Sequence, residues 1–143
     1  MNFTSKEEYG LRAVMHLAAH EVAWPVQTRE IASTEGIPEQ FLEQVLAALR
    51  RAGVVRSIRG AGGGYELARP ARSITAGDVV RALSGPIVPI PSTEDADPAY
   101  CVIAGLWQRV QAAVTEILDG TTIQDMIEER TKREQSSSFA MNI

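Results

Sequence analysis

Leu42, Val45, Leu46 and Leu49 recur three and four residues apart, with Glu39, Gln40, Glu43, Gln44, Ala47, Arg50 and Arg51 between them. That spacing predicts a helix with one buried face. Ile37 and Pro38 open it, since proline suits a first helical turn, and Gly53 closes it. Upstream, Thr4 and Ser5 precede Glu7 and Glu8 at capping-box spacing, which predicts a helix from about Lys6 to Glu21 with Tyr9, Ala13 and Leu17 on its buried side. "AWPVQT" reads as a loop. Thr28 is placed to cap a short second helix, "REIASTE", which Gly36 stops. "VVRSI" and "YELA" flank "GAGGG" and read as two short strands joined by a tight turn. Thr75 and Asp78 start a fourth helix that ends near Gly85.

The second half has a different rhythm. "PIVPIPSTEDADP" carries too many prolines for helix or central strand. From about Ala99 to Leu118, Ile103, Leu106, Val110, Ala113 and Ile117 repeat every three to four residues, and Val102, Trp107, Val114 and Leu118 widen the stripe. This is more apolar surface than one small domain needs to cover one side of a helix. "TTIQDMIEER" is a short last helix with Thr122 as its cap, and the serine-rich end reads as frayed. Tandem helices followed by a hairpin make a winged helix-turn-helix. The expected fold is therefore mainly α with a small β-hairpin wing, plus a long C-terminal dimerisation helix. Residues 1–85 are expected to form the winged helix-turn-helix DNA-binding domain, 86–98 a proline-rich acidic loop, 99–133 the dimerisation helix and short last helix, and 134–143 a flexible tail.

Charge changes the picture more than composition does. At 143 residues and 45% hydrophobic, the chain reads as one soluble domain with an appended element. It has no apolar run long enough for a membrane span, and an acidic start unlike a signal peptide, so a cytoplasmic protein is expected. The net charge is -4, yet between Arg50 and Arg72 six arginines stand against Glu66 alone. From Ser92 onward nine acids face four bases. The asymmetry suggests one anion-seeking end and one acidic end.

These arginines fall on the segment expected to meet a duplex. Glu39, Gln40, Phe41, Glu43 and Gln44 lead the third helix, where they would face a major groove. Glutamine can pair with adenine, a carboxylate can accept from cytosine N4, and an aromatic can meet a thymine methyl. Arg59 and Gly60 enter the turn, where an arginine reaches minor groove or phosphate. Gly60 and Gly62 let backbone come close. Arg50, Arg51 and Arg56 supply a salt-sensitive phosphate term, and Thr28 can add a phosphate contact at a helix start. No Lys-Ser or Lys-Thr follows the glycines, so they are a hairpin tip and not a nucleotide cradle. There is no nucleophile elbow and no HExxH, so no enzyme is expected. His16 and His20 stand one turn apart, but no third metal ligand is in sight.

"IPEQFLEQVLAALRRAGVVRSIRGAGGGYELAR", with "FTSK-x-x-Y" near the start, resembles the helix and wing of the Rrf-two family of bacterial regulators (IscR/NsrR/CymR-like). "SITAGDVVRAL" and "LWQRVQAAV…TTIQDMI" are similar to its later parts. The resemblance implies a homodimeric winged-helix transcription regulator, usually a repressor, on a twofold-symmetric operator. It also implies a dimer contact along the long helix, here through Ile103, Leu106, Trp107, Val110, Val114 and Ile117.

The sensor departs from the pattern. Cluster-binding relatives carry three cysteines around the loop; this chain keeps only Cys101, and Ala104 stands where some relatives place a histidine. One thiolate matches poorly with cluster ligation, so no iron–sulfur cluster and no metal is expected. Glu8 lies where some nitric-oxide sensors of the group use an acidic ligand, which leaves a mixed-ligand cluster as an alternative; the simpler reading is a capping-box residue. Cys101 reads first as an inert thiol buried among apolar neighbours, and second as a redox switch. A small-molecule or protein effector is an open partner beside DNA and a second copy. The rival class is a protein-interaction module whose helix-turn-helix no longer binds DNA.

Overall fold

The three leucines and the valine of the third helix all turn inward: Leu42, Val45, Leu46 and Leu49 are buried. Full burial of such side chains is worth about 1.5–3 kcal/mol each. A computed structural model describes residues 4–20, 25–87 and 92–141, with side chains to Ser138. The elements are α1 (Ser5–Ala19), α2 (Thr28–Glu35), α3 (Glu39–Arg51), β1 (Val55–Ile58), β2 (Gly64–Leu67), a 3-10 turn (Ala71–Ser73), α4 (Ala76–Ser84), α5 (Pro98–Asp119) and α6 (Ile123–Met141). The expected end of the first helix at Glu21 and the centre of the proline-rich loop, 88–91, lie outside the described residues, as do 142–143.

The mainly helical fold with a β-hairpin wing is as the sequence indicates. α1 sits at the centre and packs on α2, α3, α4, α6 and β2. Its Ala13, Val14 and Leu17 meet Ile31 of α2, the α3 stripe, Val54 and Val55, and Val79 and Leu83 of α4. The turn between α2 and α3 closes on Gly36, whose φ of 69° is the left-handed region that favours glycine.

Three details of the ends differ from the sequence reading. The acid of the first capping box is Glu7, not Glu8: Glu7 accepts from the Thr4 N–H at 2.9 Å, because only the third helical residue reaches back to the cap. Thr28 lies inside α2, whose cap is Gln27 and lacks a side-chain cap bond. And α6 continues to Met141, past residue 133 where the sequence reading closes it, although its side chains from Thr131 to Ser138 are all exposed.

α5 and α6 form the C-terminal part. α5 packs in its own chain against α4 and buries only Ala104. α6 returns across α1, with its start pinned to the start of α4: Ile123 N–H donates to the Ile74 carbonyl at 2.8 Å and Ala76 N–H to that of Thr121 at 2.8 Å. Thr122 and Asp125 close a reciprocal capping box there, each backbone N–H bonding the other's side chain at 3.0 Å.

Candidate nucleic-acid interface

α3 presents a polar face because its apolar face is spent on the core. Glu39, Gln40, Glu43 and Gln44 are exposed along its first two turns, and Arg50 and Arg51 at its end. Phe41 does otherwise. It is half-buried and meets Tyr9 of α1 edge-on, ring centroids 5.5 Å apart at 77°. Position 41 stands at the border of the two faces, one turn from both the exposed Gln44 and the buried Val45, so part of its ring packs inward.

The wing is an antiparallel hairpin in the register Val55 to Leu67 through Ile58 to Gly64. Gly60, at φ 113°, turns the tip, and the Gly63 N–H bonds the Gly60 carbonyl at 2.9 Å. A third segment holds the hairpin down. Val26 and Tyr65 exchange two backbone hydrogen bonds of 2.8 Å, and a Cβ on Gly64 would stand 2.3 Å from the Val26 carbonyl oxygen. The run of glycines therefore serves a tip and a close backbone approach. It leaves Arg59, Gly60, Ala61 and Gly62 exposed at the far end.

The arginines divide into two groups. Arg56 faces Glu66 across the strands, Nε to carboxylate oxygen 2.5 Å, as opposite charges in register do. Its charge is thus partly spent, unlike the free phosphate arginine the sequence suggests. Arg69 donates to the Ser73 carbonyl at 2.9 Å and lies 3.6 Å from Asp78. By contrast Arg29, Arg50, Arg51, Arg59 and Arg72 have no ion-pair partner among the described residues. Arg29 escapes sequence reasoning because it stands alone outside the arginine cluster.

A family model described as an iron-dependent transcriptional regulator, Rrf2, matches residues 3–129. The chain belongs to the Rrf2 family. It is a winged helix-turn-helix, DNA-binding transcription regulator. It is 44% identical over 126 residues to the HTH-type transcriptional regulator CymR of Bacillus subtilis, covering 88% of this chain and 89% of the relative. The solved structure of CymR, the global cysteine regulator of B. subtilis, is similar at 42% identity and TM-score 0.78, over 90% of this chain and 98% of that one. The IscR of T. potens is similar at 38% identity and TM-score 0.74, over 91% and 88%.

Among the described residues, the iron in the family's description finds no matching donor set. Cys101 is the one cysteine of the chain, exposed in the first turns of α5 rather than buried as the inert reading holds; Val102 and Ile103 beside it are themselves exposed, so among the described residues nothing covers it. Its thiol lies 3.9 Å from the Ala96 carbonyl. Glu8, on α1, is exposed and pairs loosely with Arg12 at 3.8 Å. Among the described residues no group of three or more His, Cys, Asp or Glu is placed to hold a metal. These side chains do not fit an iron–sulfur cluster, which thiolates hold. His16 and His20 part company: His16 Nδ1 bonds Glu35 at 2.9 Å, while His20 Nε2 is buried with no partner among the described residues. No helix among the described residues is long and apolar enough to cross a membrane.

Proposed function

We propose that this Rrf2 protein acts as a homodimeric repressor on a palindromic operator, without an iron–sulfur cluster. Each subunit sets α3 in a major groove, reading through Glu39, Gln40, Glu43 and Gln44, and lays Arg59, Gly60 and Gly62 of the wing beside it. Arg50 and Arg51, with Thr28 and Arg29 at the start of α2, take phosphates. Binding blocks a promoter. The observation that carries the dimer is the uncovered face of α5, where Val102 is 74% and Ile117 68% exposed and Ile103, Leu106, Trp107 and Val110 lie along the same helix, with Val114 half-buried beside them. A helix this apolar is stable in water only when something covers it, and a second copy supplies a matching face. Paired heads then meet half-sites one helical turn apart.

The test is fluorescence anisotropy on duplexes that the full-length protein selects from random sequence, with mass measured by light scattering. Selection of an inverted repeat that survives competitor DNA, by a particle of twice the chain mass, is the expected result. No selectivity returns the chain to the interaction-module reading.

The exposure of Cys101 favours a second reading of the input, a thiol whose oxidation releases the operator. Cys101→Ser decides it: release by oxidant persists if the thiol is idle. Among small molecules, cysteine is the first to try, because CymR of B. subtilis is a global cysteine regulator.

A further inference from the structure

Glu35 is a charged side chain with only 2% of its surface exposed, and it ends α2, one residue before the turn that leads into α3. Three elements meet on its carboxylate. Arg130 of α6 donates through Nη2 to Oε1 at 3.1 Å and through Nη1 to Oε2 at 3.4 Å, and His16 of α1 approaches Oε2 through Nδ1 at 2.9 Å. Arg130 is itself steadied by Glu134 at 3.3 Å. Among the described residues no other hydrogen bond or ion pair joins α2 to α6.

The place of this pair is telling. The apolar anchoring of α6 comes from Ile123, Met126 and Ile127, and beyond Arg130 the described side chains of α6 are all exposed. A buried carboxylate is costly unless it is fully bonded, and an apolar pair of similar size would stabilise as well or better. What a forked guanidinium–carboxylate contact adds is direction: two parallel bonds set an angle as well as a distance.

The geometry points to Arg130 as a positioning residue for DNA recognition: through Glu35 it fixes the angle of the α2–turn–α3 unit against the C-terminal arm. This rests on the DNA-binding reading above. With the clamp in place, two heads mounted on paired arms hold one separation, so the protein discriminates between half-site spacings. Without it, each head still has its side chains but the pair loses its fixed pose.

The experiment uses the full-length protein and the duplex it selects from random sequence, beside the same duplex lengthened by a single base pair at its centre. Arg130→Met is expected to lower affinity for the selected duplex by about ten-fold or more, the scale on which one base contact is lost. It should also narrow the gap between the two duplexes. Arg130→Lys keeps the charge without the fork and should show the same narrowing. Because Arg130→Met leaves a buried carboxylate with imidazole alone, the double variant Glu35→Met/Arg130→Met removes that burden; it should melt cooperatively near the wild-type temperature and still fail to discriminate spacing. A double variant that folds, dimerises and discriminates like the wild type overturns the proposal and makes the pair merely structural. A wild type that selects no duplex is a different outcome, and removes the DNA reading itself.

Discussion

The Arg81 guanidinium grips the Asp119 carboxylate with both terminal nitrogens, at 2.6 and 3.2 Å, and so ties the end of α5 to α4. Gly77 makes room for it: a Cβ there would stand 2.0 Å from the Asp119 carboxylate. Alanine is better than glycine within a helix by about 0.8–1 kcal/mol. An exposed pair of this kind contributes roughly 0.2–1 kcal/mol. Gly77→Ala should therefore be near neutral in the wild type, the helix gain offset by displacing Asp119. In an Asp119→Ala background the same substitution should stabilise by about the full helix increment, a non-additivity expected of neighbours. Urea unfolding of the four proteins measures it, and additivity would show that Asp119 does not need the space.

Glu7 gives the fold an acid-sensitive joint. Its carboxylate is buried and accepts from the Ser84 hydroxyl of α4 as well as from the Thr4 N–H and hydroxyl. Burial pushes its pKa up, but the bonds from Ser84 and Thr4 together outweigh that and hold it below the ordinary carboxylate value. A folded-state pKa below the unfolded one means that the contribution is complete above the unfolded value and is lost as pH falls through the folded one. Glu7→Gln should cost about 1.5–3 kcal/mol at neutral pH, the worth of bonds to a charged group. The difference in melting temperature from the wild type should shrink as the solution is taken below the carboxylate range. A constant gap across pH would place the cost in packing instead.

How far the sequence foretold this molecule follows from the range of each signal. The α3 stripe, the Thr75–Asp78 box, the Thr122 cap and the hairpin are local, decided within a few residues, and each was legible. The packing of Phe41 was not legible, because its partner Tyr9 lies far away in the chain. Glu35 and Arg130 lie 95 residues apart, and nothing near either marks the other. Cys101 looked buried by its apolar company; the company itself turned out to be uncovered.

The glycines of the wing are not equivalent, and alanine can tell them apart. A Cβ on Gly62 meets nothing within 4 Å, whereas on Gly64 it would stand 2.3 Å from backbone oxygen of Val26. Gly62→Ala should change stability by less than about 0.5 kcal/mol. Gly64→Ala must push apart the segment that holds the hairpin, at about 1–3 kcal/mol, and should weaken DNA binding through the displaced wing. Thermal melts and anisotropy on the two variants report both effects; equal melting temperatures would mean that the Val26 bridge is not what seats the wing.

Arg59 stands free at the wing tip, so its charge is available to DNA without breaking an ion pair. Arg59→Ala should lower affinity at moderate salt and reduce the slope of log K against log salt by about one, the loss of one neutralised phosphate. Arg56→Ala offers the contrast: Glu66 already shares that charge at 2.5 Å, so removing the pair member should change the slope less. Anisotropy titrations from low to moderate salt separate the two. Equal slopes for wild type and the Arg59 variant would take the wing off the duplex.

The face of α5 makes a prediction about mass that does not depend on DNA. Leu106 and Trp107 are each about half exposed in the single chain, midway along a helix spanning about 33 Å at 1.5 Å per residue. Paired with a second copy they stand at the centre of the contact, where the largest losses on truncation are found. Leu106→Glu sets a carboxylate there, facing its own symmetry mate. The dimer should weaken by at least about 2–4 kcal/mol, roughly thirty-fold to several hundred-fold in dissociation constant. The head has its own core and should keep its helical content. Sedimentation equilibrium across micromolar concentrations reads the change directly. A variant that stays fully dimeric would move the interface off this face, and operator affinity should fall with the dimer, because each head alone holds only half of the contacts.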